Sequence, residues 1–102
     1  MDTFYALSAP IRREILDLLA KSEQLTATAI AEKFKVSPPA ISQHLKVLLN
    51  TSLITMHKQA QQRIYELNPT ALRELEAWAQ QMVEHFESIT NLADATSFET
   101  EK

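Results

Sequence analysis

The sequence predicts a mainly α-helical domain that carries a two-stranded β-hairpin and ends in a long helix. Three observations predict it. Apolar residues recur at helical spacing from Ile11 to Leu48. The pattern then gives way to β-branched and aromatic runs between Leu53 and Leu67. Cap-and-proline starts, Ser8-Ala9-Pro10, Ser37-Pro38 and Asn68-Pro69, punctuate the helices.

The elements follow in order. Thr3 to Leu7 suits a short helix with Phe4 and Leu7 on one side. Pro10 starts the next helix, which runs to about Lys21 with Ile11, Ile15, Leu18 and Leu19 at helical spacing. Thr26 caps a helix running to about Phe34, with Ala27, Ile30, Ala31 and Phe34 as its apolar set. Lys35-Val36 makes a tight corner. Ser37 then caps a helix with Pro38 at its first position, and Ile41, Leu45 and Leu48 form one inward stripe. Leu53 to Lys58 and Arg63 to Leu67 read as strands joined by Gln59-Ala60-Gln61-Gln62.

The last helix runs from about Pro69 to Asn91. Its residues Leu72, Leu75, Ala79, Met82, Phe86 and Ile89 are spaced alternately three and four apart, which is a coiled-coil-like seam. Trp78 and Val83 widen the apolar face. A helix of some 20 residues spans ~30 Å, more than the small body before it can readily cover. The seam therefore predicts packing on a second copy of the chain, together with Phe4 and Leu7. Packing against the helix at Pro10 is the intramolecular alternative. The expected organisation is one domain over 1–91, with its dimerisation helix at about 69–91 and a flexible tail over 92–102.

Composition excludes several classes. The chain has 102 residues, 45% of them apolar, enough for one domain with a core. It has no cysteine, so disulfides, thiolate metal sites and cysteine nucleophiles are ruled out. It has no glycine, so glycine-rich phosphate cradles are ruled out as well. Three scattered histidines do not assemble a nucleophile, base and oxyanion site, and no enzyme is expected. MDTFYALSAPIRRE lacks the pattern of a signal peptide, and no stretch approaches the ~20 apolar residues of a membrane span. A cytoplasmic protein is expected.

Charge is unevenly placed. The net charge is −3, yet residues 1–68 carry +2 and residues 69–102 carry −5. From Lys33 to Tyr65 there are five basic residues, Lys33, Lys35, Lys46, Lys58 and Arg63, and no acid. Such a run is the electrostatic footprint of a polyanion partner, although a solvated surface can also produce it.

Two short helices, a tight corner, a capped helix and a hairpin make a winged helix-turn-helix, whose second helix lies in the DNA major groove. With Ile41, Leu45 and Leu48 inward, the opposite side presents Pro39, Ser42, Gln43 and Lys46. Glutamine can pair with an adenine edge, and serine with several bases. Lys46 and the capped helix start at Ser37 and Pro38 can hold phosphates. Lys58, Gln61 and Arg63 surround the hairpin tip, placed for phosphate or the minor groove.

The segments FYALSAPIRREILDLL, LTATAIAEKFKVSPPAISQHLKVL and SLITMHKQAQQRIYELNP resemble the ArsR/SmtB group of bacterial transcriptional repressors, over about Asp2 to Ala79. The most specific part is Ser42-Gln43-His44-Leu45 with Leu48, followed by Leu53-Ile54 and Tyr65-Glu66-Leu67-Asn68-Pro69. The resemblance implies a homodimer, built from terminal helices, that binds inverted-repeat operator DNA at the nucleoid and is released by a ligand. It puts the base-reading positions on Ser42 and Gln43. The effector itself is not given by the residues.

Where the group has glycine and arginine at the wing tip, Ala60 and Gln61 stand, so a wider wing with a weaker grip is expected. The usual Ala-Gly before Leu-Val is Thr51-Ser52, a corner that must manage without glycine. Metal-sensing members carry cysteine pairs before the corner or Asp/His sets on the last helix. Lys33 to Val36 holds no such ligand. Glu74, Glu76, Glu84, His85 and Glu87 lack the required spacing, so a metal-independent member without a cofactor is expected, in some cases an autorepressor.

Several residues have plainer readings. His44 sits beside the inward stripe and suits a packed, hydrogen-bonded histidine more than a base reader. His57 suits the wing surface, and Tyr65 the core or a hinge. Arg12 and Arg13 suit either phosphate contacts or surface ion pairs. The competing functional reading is a winged helix that binds protein and no specific DNA; the acid-free run argues against it, since a protein partner does not require one.

Overall fold

The computed structural model describes residues 2–94. Its elements are α1 (Thr3–Leu7), α2 (Pro10–Ser22), β1 (Gln24–Thr26), α3 (Ala27–Glu32), α4 (Pro38–Asn50), β2 (Ile54–Gln59), β3 (Gln62–Leu67) and α5 (Pro69–Asp94). The chain divides into two compact units, Met1–Ala71 and Leu72–Lys102.

The first unit is the winged helix-turn-helix that the helical periods predict. Three of its four helices begin where a side chain satisfies a free backbone N–H group, whereas α2 starts at Ala9-Pro10 with no side-chain cap. Asp2 Oδ1 accepts from Tyr5 N at 2.8 Å, and Thr26 Oγ1 accepts from Ala29 N at 3.0 Å. Ser37 Oγ accepts from Ala40 N at 3.3 Å. The core is built from α2 (Ile15, Leu16, Leu19), Ile30 of α3, and α4 (Ile41, Leu45, Leu48), closed by Leu53, Ile54, Ile64 and Tyr65. Tyr65 is thus a core residue.

The sheet differs from the expected two-stranded hairpin. β1 adds a third strand in the order β1-β3-β2, with Leu25 opposite Tyr65 and Thr26 opposite Ile64. It lies immediately before α3 and pairs through its backbone, so Thr26 both ends a strand and caps a helix. α3 stops at Glu32 rather than Phe34, because Lys33 and Phe34 close it with bonds back to Ile30 O and Ala31 O.

The wing is narrow, not wide. Gln59 pairs with Gln62, leaving a two-residue turn at Ala60-Gln61. Such turns need a positive φ, normally from glycine; Ala60 supplies it at φ 58°. The exit of α4 solves the same problem. Ser52 takes φ 64°, its N–H donates to Leu49 O at 3.0 Å, and Leu53 N–H donates to Leu48 O at 3.1 Å. This is a Schellman closure with serine at the position glycine usually holds. Asn68 fastens it: its backbone N–H donates to Leu53 O, and its side-chain amide donates to Ser52 O. Glu23, at φ 68°, ends α2.

The second unit is the greater part of α5. The helix has 26 residues and continues to Asp94, beyond the expected end at Asn91. Asn68 Oδ1 accepts from Thr70 N at 3.2 Å where the helix begins. Leu72 and Leu75 are half-buried, whereas Trp78, Ala79, Met82, Val83, Phe86 and Ile89 are exposed. Of the tail expected over 92–102, residues 92–94 are helical and the rest lie outside the described residues.

Candidate nucleic-acid interface

The stripe Ile41, Leu45 and Leu48 is at most 2% exposed, which fixes which side of α4 faces outward. Pro39, Ser42, Gln43 and Lys46 are all exposed on that side. Together with the sheet, this face borders a hollow of about 260 Å³ lined by Ser42, Gln43, Lys46, Leu49, Met56, Arg63 and Tyr65. Four of the expected DNA-binding residues therefore share one concave surface: Ser42, Gln43, Lys46 and Arg63.

Lys58 and Arg63 are cross-strand partners, one pair below the Gln59–Gln62 turn. They are exposed, as is Gln61 at the tip. Among the described residues, Lys46, Lys58 and Arg63 take part in no ion pair, whereas Lys21 is paired with Asp17 at 3.0 Å on α2. The acid-free run thus leaves three cations around the hollow and wing with no internal carboxylate to neutralise them.

Ser37, Pro38 and Pro39 are exposed at the start of α4. Pro38 also borders a second hollow of about 190 Å³ with Thr28, Ala31 and Ser42, between α3 and α4. Thr28, exposed beside Ser42, is a polar residue that helical periodicity does not single out. The helix start itself does not offer the expected phosphate donors. Pro38 and Pro39 have no N–H, Ala40 N–H is taken by Ser37 Oγ, and Ile41 N–H by Ser37 O. Of the main-chain N–H groups from Ser37 to Ile41, only that of Ser37 is left without an internal acceptor among the described residues.

His44 and Arg12 lie on the inner side. Arg12 is 6% exposed, which removes it from both expected roles, phosphate contact and surface ion pair. Its Nε donates to Ala6 O at 2.8 Å and its Nη2 to Tyr5 O at 3.1 Å. Its Nη1 meets His44 Nδ1 at 3.1 Å. His44 is accordingly a packed, hydrogen-bonded histidine. Burial, and secondarily the Arg12 charge, hold its pKa below the ordinary 6.5. Arg13 donates to Leu7 O.

Of the residues expected at a dimer interface, Phe4 is exposed and Leu7 half-buried on α1; the others line α5 as described above. Among the described residues, no group of three or more His, Cys, Asp or Glu is placed to hold a metal ion, and no helix is long and apolar enough to cross a membrane.

Residues 9–55 match the family described as bacterial regulatory protein, arsR family. The transcriptional repressor SdpR of Bacillus subtilis (strain 168) is 44% identical over 77 residues, covering 76% of this chain and 84% of SdpR. The arsenical resistance operon repressor of Staphylococcus xylosus is 44% identical over 62 residues, covering 61% of this chain but only 59% of that repressor. Among solved structures, an ArsR family transcriptional regulator superposes with a TM-score of 0.76 at 29% identity, covering 83% of this chain and 87% of that one.

Proposed function

Because the chain belongs to the arsR family of bacterial regulatory proteins, and is therefore a DNA-binding transcriptional regulator and not an enzyme, we propose that it is a homodimeric repressor of an inverted-repeat operator that works without a bound metal. The observation that carries this reading is the hollow where Ser42, Gln43, Lys46 and Arg63 meet on an acid-free surface.

In this reading α4 lies in the major groove. Gln43 pairs with an adenine edge and Ser42 bonds an adjacent base. Lys46 and Arg63 take phosphates on either side of the hollow, and Lys58 and Gln61 carry the wing to the flanking backbone or minor groove. Pro38 and Pro39 stiffen a helix start that approaches the backbone, where the Ser37 N–H is the one main-chain donor left open. A second copy, joined through the apolar faces of α1 and α5, supplies the other half-site, about 34 Å away along the duplex. The protein then acts on chromosomal DNA in the cytoplasm. With no cysteine pair and no metal-ligand spacing on α5, another signal, or autoregulation, replaces metal release.

Selecting bound fragments from the genome tests the reading. A recovered set sharing an inverted repeat supports it. Affinity for that repeat is expected to fall steeply with salt, with a log–log slope of about −0.9 per neutralised phosphate. Affinity indifferent to salt, with no common sequence, favours a protein-binding winged helix instead.

A further inference from the structure

Arg12 is a buried cation with no carboxylate partner among the described residues. Such a charge is costly to bury unless its donors are used. Arg12 uses them on two carbonyls at the end of α1 and on His44 of α4, and its guanidinium stands 5.0 Å from the Tyr5 ring centroid. One side chain, rooted in α2, thereby joins α1 to α4.

Guanidinium groups only donate. His44 Nδ1 must therefore be the acceptor, which puts the ring proton on Nε2. Burial and the neighbouring Arg12 both favour this neutral ring.

His44 directly follows Gln43 and Ser42 in α4. Apolar packing by Ile41, Leu45 and Leu48 holds α4 down, but it is not directional. A rotation of about 20° shifts a side-chain tip ~6 Å from the axis by about 2 Å. A hydrogen bond tolerates only ~0.5 Å. A directional tether beside the reading residues decides whether they meet base edges.

We infer that Arg12 and His44 are positioning residues for DNA reading: their hydrogen bond sets the rotation of α4 and hence where Ser42 and Gln43 present their polar atoms. This rests on the DNA reading proposed above. The pair contributes to discrimination between sequences and not to the general hold on phosphate, because neither side chain lies among the exposed cations.

Nitrogen NMR of the His44 ring in the free wild-type protein tests the bond without DNA. Nδ1 is expected to be unprotonated and Nε2 protonated; the opposite tautomer overturns the inference. Affinities for the selected operator and for a scrambled duplex, at one salt concentration, test the role. His44→Leu, which lacks an acceptor, is expected to lose about tenfold on the operator and little on the scrambled duplex. His44→Gln, whose carbonyl can accept, should recover most of that loss. An operator-to-scrambled ratio unchanged in His44→Leu overturns the role, as does a His44→Gln ratio no better than that of leucine. If His44→Leu does not fold, the ring tautomer and the glutamine ratio decide. Wild-type protein with no sequence preference overturns the DNA reading and this role with it, whereas a wild-type preference that is undiminished in His44→Leu overturns this role alone.

Discussion

The side-chain amide of Asn68 donates to the carbonyl of Ser52 at 2.8 Å, across sixteen positions of sequence. The bond closes the corner by which α4 leaves for the wing. The same residue accepts from Thr70 N where α5 begins.

Asn68→Ala removes both bonds and leaves Ser52 O and Thr70 N to water. Stability is expected to fall by about 1–2 kcal/mol, read as a lower denaturant midpoint with an unchanged slope. An unaltered midpoint would show that the corner closes without it.

Gln43→Ala and Arg63→Ala should differ in kind. Loss of the glutamine is expected to cost about 1–3 kcal/mol on the operator and to relax its sequence preference. Loss of the arginine, like loss of Lys58, is expected to weaken binding to all sequences alike and to reduce the salt slope by about one phosphate. Equal losses for Gln43→Ala on specific and random duplexes would remove it from base reading.

On α5, Leu75 is half-buried, and Phe86, at 68% exposure, lies on the same seam. The double change Leu75→Glu with Phe86→Glu is expected to convert a dimer into monomers in sedimentation experiments, with unchanged helical content. A persistent dimer would place the contact elsewhere.

His44 makes stability depend on pH. Its folded pKa lies below the unfolded value of about 6.5, first through burial and then through Arg12. The unfolded chain therefore binds its proton more readily. The stabilisation is fully present above that value and is lost as the pH falls below 6.5 and through the lower folded pKa. Denaturant midpoints from pH 7.5 downward should decline more in the wild type than in His44→Gln. Parallel curves would detach His44 from this effect.

Much of this architecture is legible in residue spacing. Ile41, Leu45 and Leu48 mark the inward side of α4, and Thr26 and Ser37 mark helix starts that the hydrogen bonds bear out. β1 escapes because Gln24-Leu25-Thr26 is too short to show alternation, and its pairing with β3 is decided only when the fold closes. Arg12 escapes because arginines are seldom buried. The signal was there: with Ile15, Leu16 and Leu19 it forms one helical stripe, all of it buried. The wing tip and the α4 exit are illegible for another reason. Ser52 and Ala60 adopt a backbone region that glycine usually announces, and this chain has none. The outward face of α4 is legible because the inward stripe of Ile41, Leu45 and Leu48 leaves Pro39, Ser42, Gln43 and Lys46 on the other side.

The strand order β1-β3-β2 has one more consequence. It leaves β2 on the outside of the sheet, with five of its six residues exposed. An outer strand is a template on which a second molecule can lay down its own, and a lysine there discourages it. Lys58, proposed above as a nucleic-acid contact, stands on that rim, where its charge is expected to oppose such zipping between neighbouring molecules. A variant that surrenders that charge should be watched for clumping as closely as for its hold on the duplex.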